Sequence, residues 1–547
     1  MPEVFLTHDV VNQSPPFEDV NLFLTDQPLM SAVKREGSGL YGNNLKDFGR
    51  ITGSREAQDW ARLANDNPPV LKTHDAKGRR LDVVEFHPAY HALMETSFQA
   101  GLQHLGTGPN AHVERSGLLY LATQMEAGHC CPITMTNAAL PVLARQMDIG
   151  APWIEKARVS AYDRRFLPMA QKTSVTLGMG MTEKQGGTDV RANTTRAVAL
   201  KGGGPGGQYE ITGHKWFMSA PMSDAFLVIA QAPGGLTCFL MPRFLSDGNV
   251  NALRFQRLKS KLGNRSNASS EVEFAGAHGW AIGAEGEGTK VIIEMVTATR
   301  LDCAVASVGL MRSALAQALH HTANRRVFQK TLIDQPLMQH VLADLALDLE
   351  AAVALAFRTA RAFDEKADPR AQAWQRLMTP VVKYWCCKTA PPFVAEAMEC
   401  LGGNGYVEAG PMARLYREVP VNSIWEGSGN VMALDVVRVL KREQETADIV
   451  FSELREAAKA DSRLKAAAAH IEDLLHKTAD IEHQAREITE GLATLAAGTL
   501  LSASAPTAVA EAYIASRFGA QRQATYGAQI DPAAARAILD RARPVEI

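Results

Sequence analysis

The chain carries no surplus of charge of either sign: 57 Lys and Arg stand against 59 Asp and Glu over 547 residues, a formal net of −2. That balance excludes a protein that coats nucleic acid or anionic lipid through bulk charge. Cysteine is scarce. Of the seven present, four form two adjacent pairs, Cys130-Cys131 and Cys386-Cys387, and no CxxC spacing occurs. Adjacent cysteines are poor disulfide partners and the spacing offers no zinc site, so the expectation is buried free thiols in a cytoplasmic protein without a metal. The start, Met-Pro-Glu, lacks the basic-then-apolar order of a secretory leader. Long apolar runs are missing as well. Gly491 to Ala510 has no charge, but it is rich in Ala, Gly, Ser and Thr, and Pro506 interrupts it. It reads as one buried helix or two short ones, not as a membrane span.

A hydrophobic content of 46% suffices for large cores and excludes general disorder. The length implies several domains. Residues 1–172 read as a helical domain, with helical spacing over Tyr90 to Gly101 and Gly117 to Glu126. Residues 173–288 change character. Short β-branched or aromatic runs (Thr173 to Leu177, Asn193 to Leu200, Gln208 to Thr212, Ala225 to Ala230, Leu236 to Met241, Glu271 to Phe274) alternate with turns, as in a small antiparallel sheet or barrel. The glycine-rich Gly202 to Gly207 lies between two of these runs with no helix start after it, so it reads as a hairpin turn. Residues 289–445 return to long helices, Thr289 to Arg326, Pro336 to Lys366, Pro369 to Leu401 and Gly427 to Arg442, enough for a bundle. Residues 446–547 are alanine-rich and helical. The fold class is mainly α with one small β-domain.

Three stretches carry chemistry. Met179 to Val190, MGMTEKQGGTDV, follows a strand and joins two hydroxyl residues to a Gly-Gly turn. Such a loop presents backbone N–H groups and hydroxyls to a planar polar ring or a phosphate, although many plain turns look alike. Gly213 to Ser219, GHKWFMS, is either an ordinary aromatic core strand or a wall against a flavin ring. Ser423 to Asn430, SIWEGSGN, sets Glu426 before a helix start. Amides there attract an anionic or electron-rich ligand edge, or the carboxylate serves as a cap.

Together with KLGNRSNAS and ECLGGNGY, these motifs make the chain resemble the acyl-CoA dehydrogenase superfamily over its whole length, and specifically its AidB-like branch, tied to the bacterial response to DNA alkylation. The resemblance implies a helical N-terminal domain, a β-barrel or sandwich and a four-helix bundle, with FAD between the last two, plus an extra C-terminal helical domain. Carried over by position, it implies FAD contacts from Met179, Gly180, Met181, Thr182, Glu183, Lys184, Gln185, Gly186, Gly187 and Thr188. Phe217, Met218 and Ser219 would line the isoalloxazine. Ile424, Trp425, Gly427, Ser428, Gly429, Asn430 and Leu434 would form a second wall. Arg325 and Phe328 match an Arg-x-x-Phe that meets the FAD of a neighbouring subunit, which implies a homo-oligomer, commonly a tetramer; without that role Arg325 is a solvated helix residue. Glu426 falls where family members keep the base that takes the proton α to a thioester. Three departures accompany the match. Thr297 replaces an Asp that contacts CoA, Glu399 replaces a Gln near the FAD phosphate, and Trp425 stands where smaller residues or Tyr are common and restricts an acyl tunnel. Weak or atypical acyl-CoA activity is the implied outcome.

The same branch implies binding of double-stranded DNA through the C-terminal domain. Its residues 446–547, however, carry 11 Lys and Arg against 14 Asp and Glu. Any phosphate-binding face must therefore be local, built from Arg517, Arg522, Arg536, Arg541 and Arg543 or from the basic end Arg438, Lys441 and Arg442. Arg438 is the best single candidate; its plain alternative is a cation complementing a helix C-terminus. Two function classes follow: a flavoenzyme acting on an acyl-CoA-like small molecule, or a DNA-associated protective protein whose flavin is structural.

Overall fold

The computed structural model describes residues 7–38, 43–477, 481–519, 524–528 and 530–545. The first 170 residues are mostly helical, including Gln27–Glu36, Arg55–Asp66, Pro88–Gln99, α1 (Ala111–Met125) and α2 (Cys130–Leu143). They also contain an antiparallel hairpin that the helical reading missed, β1 (Val70–His74) and β2 (Arg80–Glu85). Its turn is local chemistry: Asp75 accepts from the N–H groups of Lys77 and Arg79, and Gly78 takes φ +77°.

A seven-stranded sheet follows: β3 (Leu177–Gly180), β4 (Arg196–Lys201), β5 (Gln208–Ser219), β6 (Ala225–Ala232), β7 (Gly235–Pro242), β8 (Leu253–Leu258) and β9 (Ser269–Ile282). Antiparallel pairings run β4–β5–β9–β7–β6, and a single parallel bridge, Arg196 to Gln231, returns from β6 to β4. The strands thus close into a small barrel, with β3 parallel on β6 and β8 on β9. The Gly202 to Gly207 run turns β4 into β5 as a hairpin.

β6 and β7 are apolar at nearly every position because both faces are buried. Phe226, Val228, Ala230, Phe239 and Met241 fill the barrel. The alternate residues Leu227, Ile229, Cys238 and Leu240 pack outward onto α2 and the first turns of the following helix. That alternation joins the barrel to the helices.

The bundle consists of α3 (Gly288–Asn324), α4 (Pro336–Asp364), α5 (Pro369–Glu399) and α6 (Gly429–Arg442), each within two residues of its sequence span. Starts are well marked: proline occupies the first helical position of α4 and α5, and Asp368 caps α5 by accepting from the Arg370 N–H. In the extension, α7 (Ala485–Ser504) and α8 (Thr507–Arg517) flank Pro506, so the uncharged run forms the end of one helix and the start of another. Among the described residues no helix is long and apolar enough to cross a membrane. All seven cysteines are buried free thiols.

The extension, ending in α9 (Pro532–Ala542), docks on the bundle through ion pairs. Arg517 bonds Asp344 at 2.6 Å and Asp348 at 2.9 Å, and Arg541 pairs with Glu350. Buried Arg312 of α3 donates to the carbonyls of Ala542 and Thr25 and pairs with Asp26, tying both ends of the chain to the bundle. These contacts bear on the arginines expected to build a local phosphate-binding face. Arg517 and Arg541 are docking residues, Arg536 is exposed, and Arg522 lies outside the described residues.

Candidate active site

The turn before α6 is the most constrained backbone near the predicted chemistry. Glu426 has φ +58° and Gly427 φ +105°. A non-glycine residue held there costs about 1–3 kcal/mol and persists only where its surroundings over-determine it. Two buried cations do so. Lys383 of α5 donates to the carbonyls of Trp425 (3.0 Å) and Gly427 (2.5 Å), and Arg300 of α3 donates from Nε to the carbonyl of Glu426 (3.1 Å). Three consecutive carbonyls are gripped from two helices.

The carboxylate of Glu426 accepts from Thr299 Oγ1 at 2.9 Å. Burial raises its pKa above the ordinary carboxylate range, against the Thr299 hydrogen bond and the charges of Arg300 and Lys383. A carboxylate shifted upward is a better proton acceptor near neutral pH. Arg300 in turn bonds Asp435 at 2.7 Å, and Asp435 is shared with Arg376 (3.3 Å) and Arg438 (2.7 Å). Burial opposes the Asp435 charge, yet the three guanidinium groups hold its pKa below the usual range.

Trp425 packs onto the apolar cluster shared by α2, β3, β6 and the start of α3, with Met179 and Met181 at its border. The loop after β3 is therefore drawn towards the Glu426 turn. Trp216, near the end of β5, donates its backbone N–H to the Thr182 carbonyl at 2.9 Å, which joins the Gly213 to Ser219 stretch to the loop after β3. Within the loop, a side chain on Gly187 would meet Thr182 Oγ1 at 2.4 Å, so the close approach of hydroxyl and backbone requires glycine. Lys184, Gln185, Gly186, Gly187 and Thr188 are exposed, Met179, Met181 and Thr182 partly so, and Gly180 is buried.

Two residues expected to contact the cofactor have buried side chains. Glu183 is fully buried, paired with Lys215 at 2.9 Å, and accepts from Thr194 and Thr195. Burial opposes its charge, but those bonds and Lys215 hold its pKa well below the usual range. It fastens the loop to the barrel and offers its side chain to no ligand. Met218 points into the barrel interior and is fully buried, so only its backbone borders the site. Neighbouring Phe217 is 54% exposed, and Ser219 Oγ lies 3.2 Å from Ser269 Oγ.

Arg325 and Phe328 are not near Glu426. They follow the far end of α3, roughly 37 Å from Arg300 at the α-helical rise of about 1.5 Å per residue. Arg325 donates to the Asn12 carbonyl. Phe328 and Gln329, φ +51° and +66°, form the two-residue turn of a hairpin between Arg326–Val327 and Lys330–Thr331, which leaves Phe328 90% exposed. Thr297 spends its hydroxyl on the Ile293 carbonyl of its own helix. A cavity of about 1040 Å³ lies between Arg55–Asp66, residues 258–268 and residues 408–417, and none of the predicted site residues lines it. It borders the site through Lys259, whose ammonium lies 4.6 Å from the centre of the Phe217 ring, and through Lys261, which donates to Ser269. Backbone strain, two buried cations and the predicted stretches converge at Glu426.

Sequence reasoning missed Thr299, Lys383 and Asn422. A lone lysine inside the apolar run Val381-Val382-Lys383-Tyr384-Trp385 was the available signal.

Comparison with known proteins gives this geometry a family. The Adaptive response protein AidB N-terminal domain family matches residues 12–164, the acyl-CoA dehydrogenase middle domain residues 178–277 and its C-terminal domain residues 286–441. The putative acyl-CoA dehydrogenase AidB of Escherichia coli is 48% identical over 93% of this chain and 94% of that protein. This chain belongs to the AidB-like branch of the acyl-CoA dehydrogenase family. Acyl-CoA dehydrogenase family member 11 of Caenorhabditis elegans is 31% identical over 84% of this chain and 79% of that protein. The crystal structure of Caenorhabditis elegans ACDH-11 with C11-CoA superposes with a TM-score of 0.84 at 27% identity, covering 93% of each chain. Butyryl-CoA dehydrogenase of Megasphaera elsdenii shares the fold, with a TM-score of 0.55 at 19% identity over 71% of this chain and 99% of that one.

Acyl-CoA dehydrogenases are FAD-dependent oxidoreductases acting on CH–CH groups, and the cofactor of this AidB-like member is FAD. The residues present fit it. Phe217 near the end of β5, Ile424 before α6 (66% exposed) and Leu434 in the second turn of α6 (46%) leave large apolar side chains uncovered. The exposed Thr188 and a Ser428 hydroxyl that makes no capping bond add polar groups. A planar apolar ring with a polar rim and phosphates matches that set.

Proposed function

We propose that this AidB-like flavoprotein dehydrogenates an acyl thioester, with Glu426 as the base that removes the α-proton. The supporting observation is the Glu426 turn: a carboxylate raised in pKa, hydrogen-bonded by Thr299 and fixed in strained geometry by Lys383 and Arg300. Thr182, Thr188, Ser219 and Ser428 would hold polar edges of FAD, while Phe217, Ile424 and Leu434 would cover its apolar face. FAD, when bound, supplies the acceptor for the β-hydride. Glu426 holds the proton at Oε1 or Oε2. Backbone N–H groups at the start of α6 favour negative charge that develops on the thioester oxygen. Trp425 narrows the space beside the base, and Thr297 lacks the charge of an Asp, so activity on ordinary fatty acyl-CoA is weak. Anaerobic mixing of the FAD-loaded protein with a series of acyl-CoAs tests this: a substrate removes the flavin's visible absorbance, and no loss with any thioester contradicts it.

The distance of Arg325 and Phe328 from Glu426, with Phe328 left exposed, supports a homo-oligomer, a tetramer in our reading, in which these residues meet the FAD of a neighbour. The likeness to AidB also motivates association with double-stranded DNA during the alkylation response. Arg438 is half-exposed and followed by the exposed Lys441 and Arg442 in the last turn of α6, which favours that end of the bundle over the extension.

A further inference from the structure

Trp425 is fixed by more than its backbone. Its indole Nε1–H donates to Asn422 Oδ1 at 3.0 Å, Asn422 Nδ2 donates to Ser307 Oγ at 3.1 Å, and Ser307 donates to the Cys303 carbonyl at 2.9 Å. Asn422 and Ser307 are buried, and Cys387 Sγ lies 3.3 Å from Ser307 Oγ. The direction of the chain is determined at both ends. Indole nitrogen is a donor only, so Asn422 must turn Oδ1 towards it and Nδ2 towards Ser307; the backbone carbonyl at the other end only accepts. Every polar group in the line is satisfied, which makes the arrangement rigid and costly to break.

We propose that Asn422 is a positioning residue that sets substrate specificity by locking the Trp425 indole as a fixed wall beside Glu426. This rests on the dehydrogenase reading above. The grip of Lys383 and Arg300 fixes the carbonyls of residues 425–427, but it leaves the indole free to rotate about its own side-chain bonds. Among the described residues, Asn422 is the one side chain that accepts a hydrogen bond from that indole. Locked in place, the ring packs on the cluster of α2, β3 and β6 directly before the base in the chain. An acyl chain extending past the base meets this wall, so short or compact acyl groups fit and long straight ones do not. Asn422 itself touches neither substrate nor flavin.

The test uses Asn422→Leu, Trp425→Phe and the double variant, each FAD-loaded, with straight acyl-CoAs from butyryl to dodecanoyl. In Asn422→Leu the ratio of kcat/KM for long over short chains is expected to rise about tenfold, the scale of a few added methylenes in an apolar pocket. In the Trp425→Phe background, which has no indole N–H, Asn422→Leu should add no further change. An equal effect at every chain length, or an undiminished effect in the Phe background, overturns the proposal. The second readout is independent of turnover. Fluorescence assigned to Trp425 by difference from Trp425→Phe should become more accessible to acrylamide in Asn422→Leu, and unchanged accessibility overturns the positioning role. Loss of the flavin response in all proteins would instead defeat the dehydrogenase reading, while the fluorescence still decides the role of Asn422. Asn422→Gln, which keeps the amide, should restore part of the wild-type selectivity.

Discussion

Thr299 donates its hydroxyl to Glu426 Oε2 at 2.9 Å from the helix that also provides Arg300. This bond favours the ionised carboxylate, whereas burial favours the neutral acid, and burial dominates. Removing it in Thr299→Val therefore raises the Glu426 pKa further. A base-limited rate increases with pH as the carboxylate ionises, so the rising limb of the kcat/KM profile should move to higher pH in the variant. A limb that stays in place, or moves down, contradicts the assignment.

Lys383 keeps two carbonyls satisfied on either side of the base. In Lys383→Met both are left buried without their donor, at a cost of about 1–3 kcal/mol each. Urea unfolding should show a combined loss of about 2–6 kcal/mol, and turnover should fall at least tenfold as the Glu426 turn relaxes. A stable variant with normal turnover would show that the grip is incidental.

Arg517 and Arg438 should separate docking from DNA contact. Arg517→Met leaves Asp344 and Asp348 without their cation, and breaking a buried pair costs about 3–5 kcal/mol. It should lower stability without changing the salt dependence of DNA association. Arg438→Ala should leave stability nearly intact and reduce the slope of log K against log salt by about 1. The reverse pattern would return DNA contact to the extension.

Arg486, on the first turn of α7, donates to Asn430 Oδ1 at 2.8 Å, so the extension reaches the helix expected to wall the flavin. Arg486→Ala should weaken FAD retention, read as cofactor released during dilution and monitored by flavin fluorescence. Retention equal to wild type would confine the extension to a structural role.

The bundle was legible because proline at the first helical position and a capping Asp368 mark starts whose apolar period is long. β8 was not: in Leu253-Arg254-Phe255-Gln256-Arg257-Leu258 only Leu253 and Phe255 turn into the barrel, and a strand that shows two buried residues in six gives little pattern. The site motifs marked stretches that the fold brings towards one another, but they could not divide labour within them. Glu183 and Met218 differ from their neighbours only in the direction they face, which Lys215 and the barrel interior decide. The C-terminal arginines posed the same problem, since a charge count cannot tell a docking guanidinium from a free one.

The central claim is that Glu426 takes the α-proton, and comparing Glu426→Gln with the wild type tests it most directly. Both proteins should carry FAD. On anaerobic addition of an acyl-CoA that reduces the wild type, the Gln variant should keep its visible flavin absorbance while still binding the thioester. Reduction of the variant at the wild-type rate would contradict the account and place the base elsewhere.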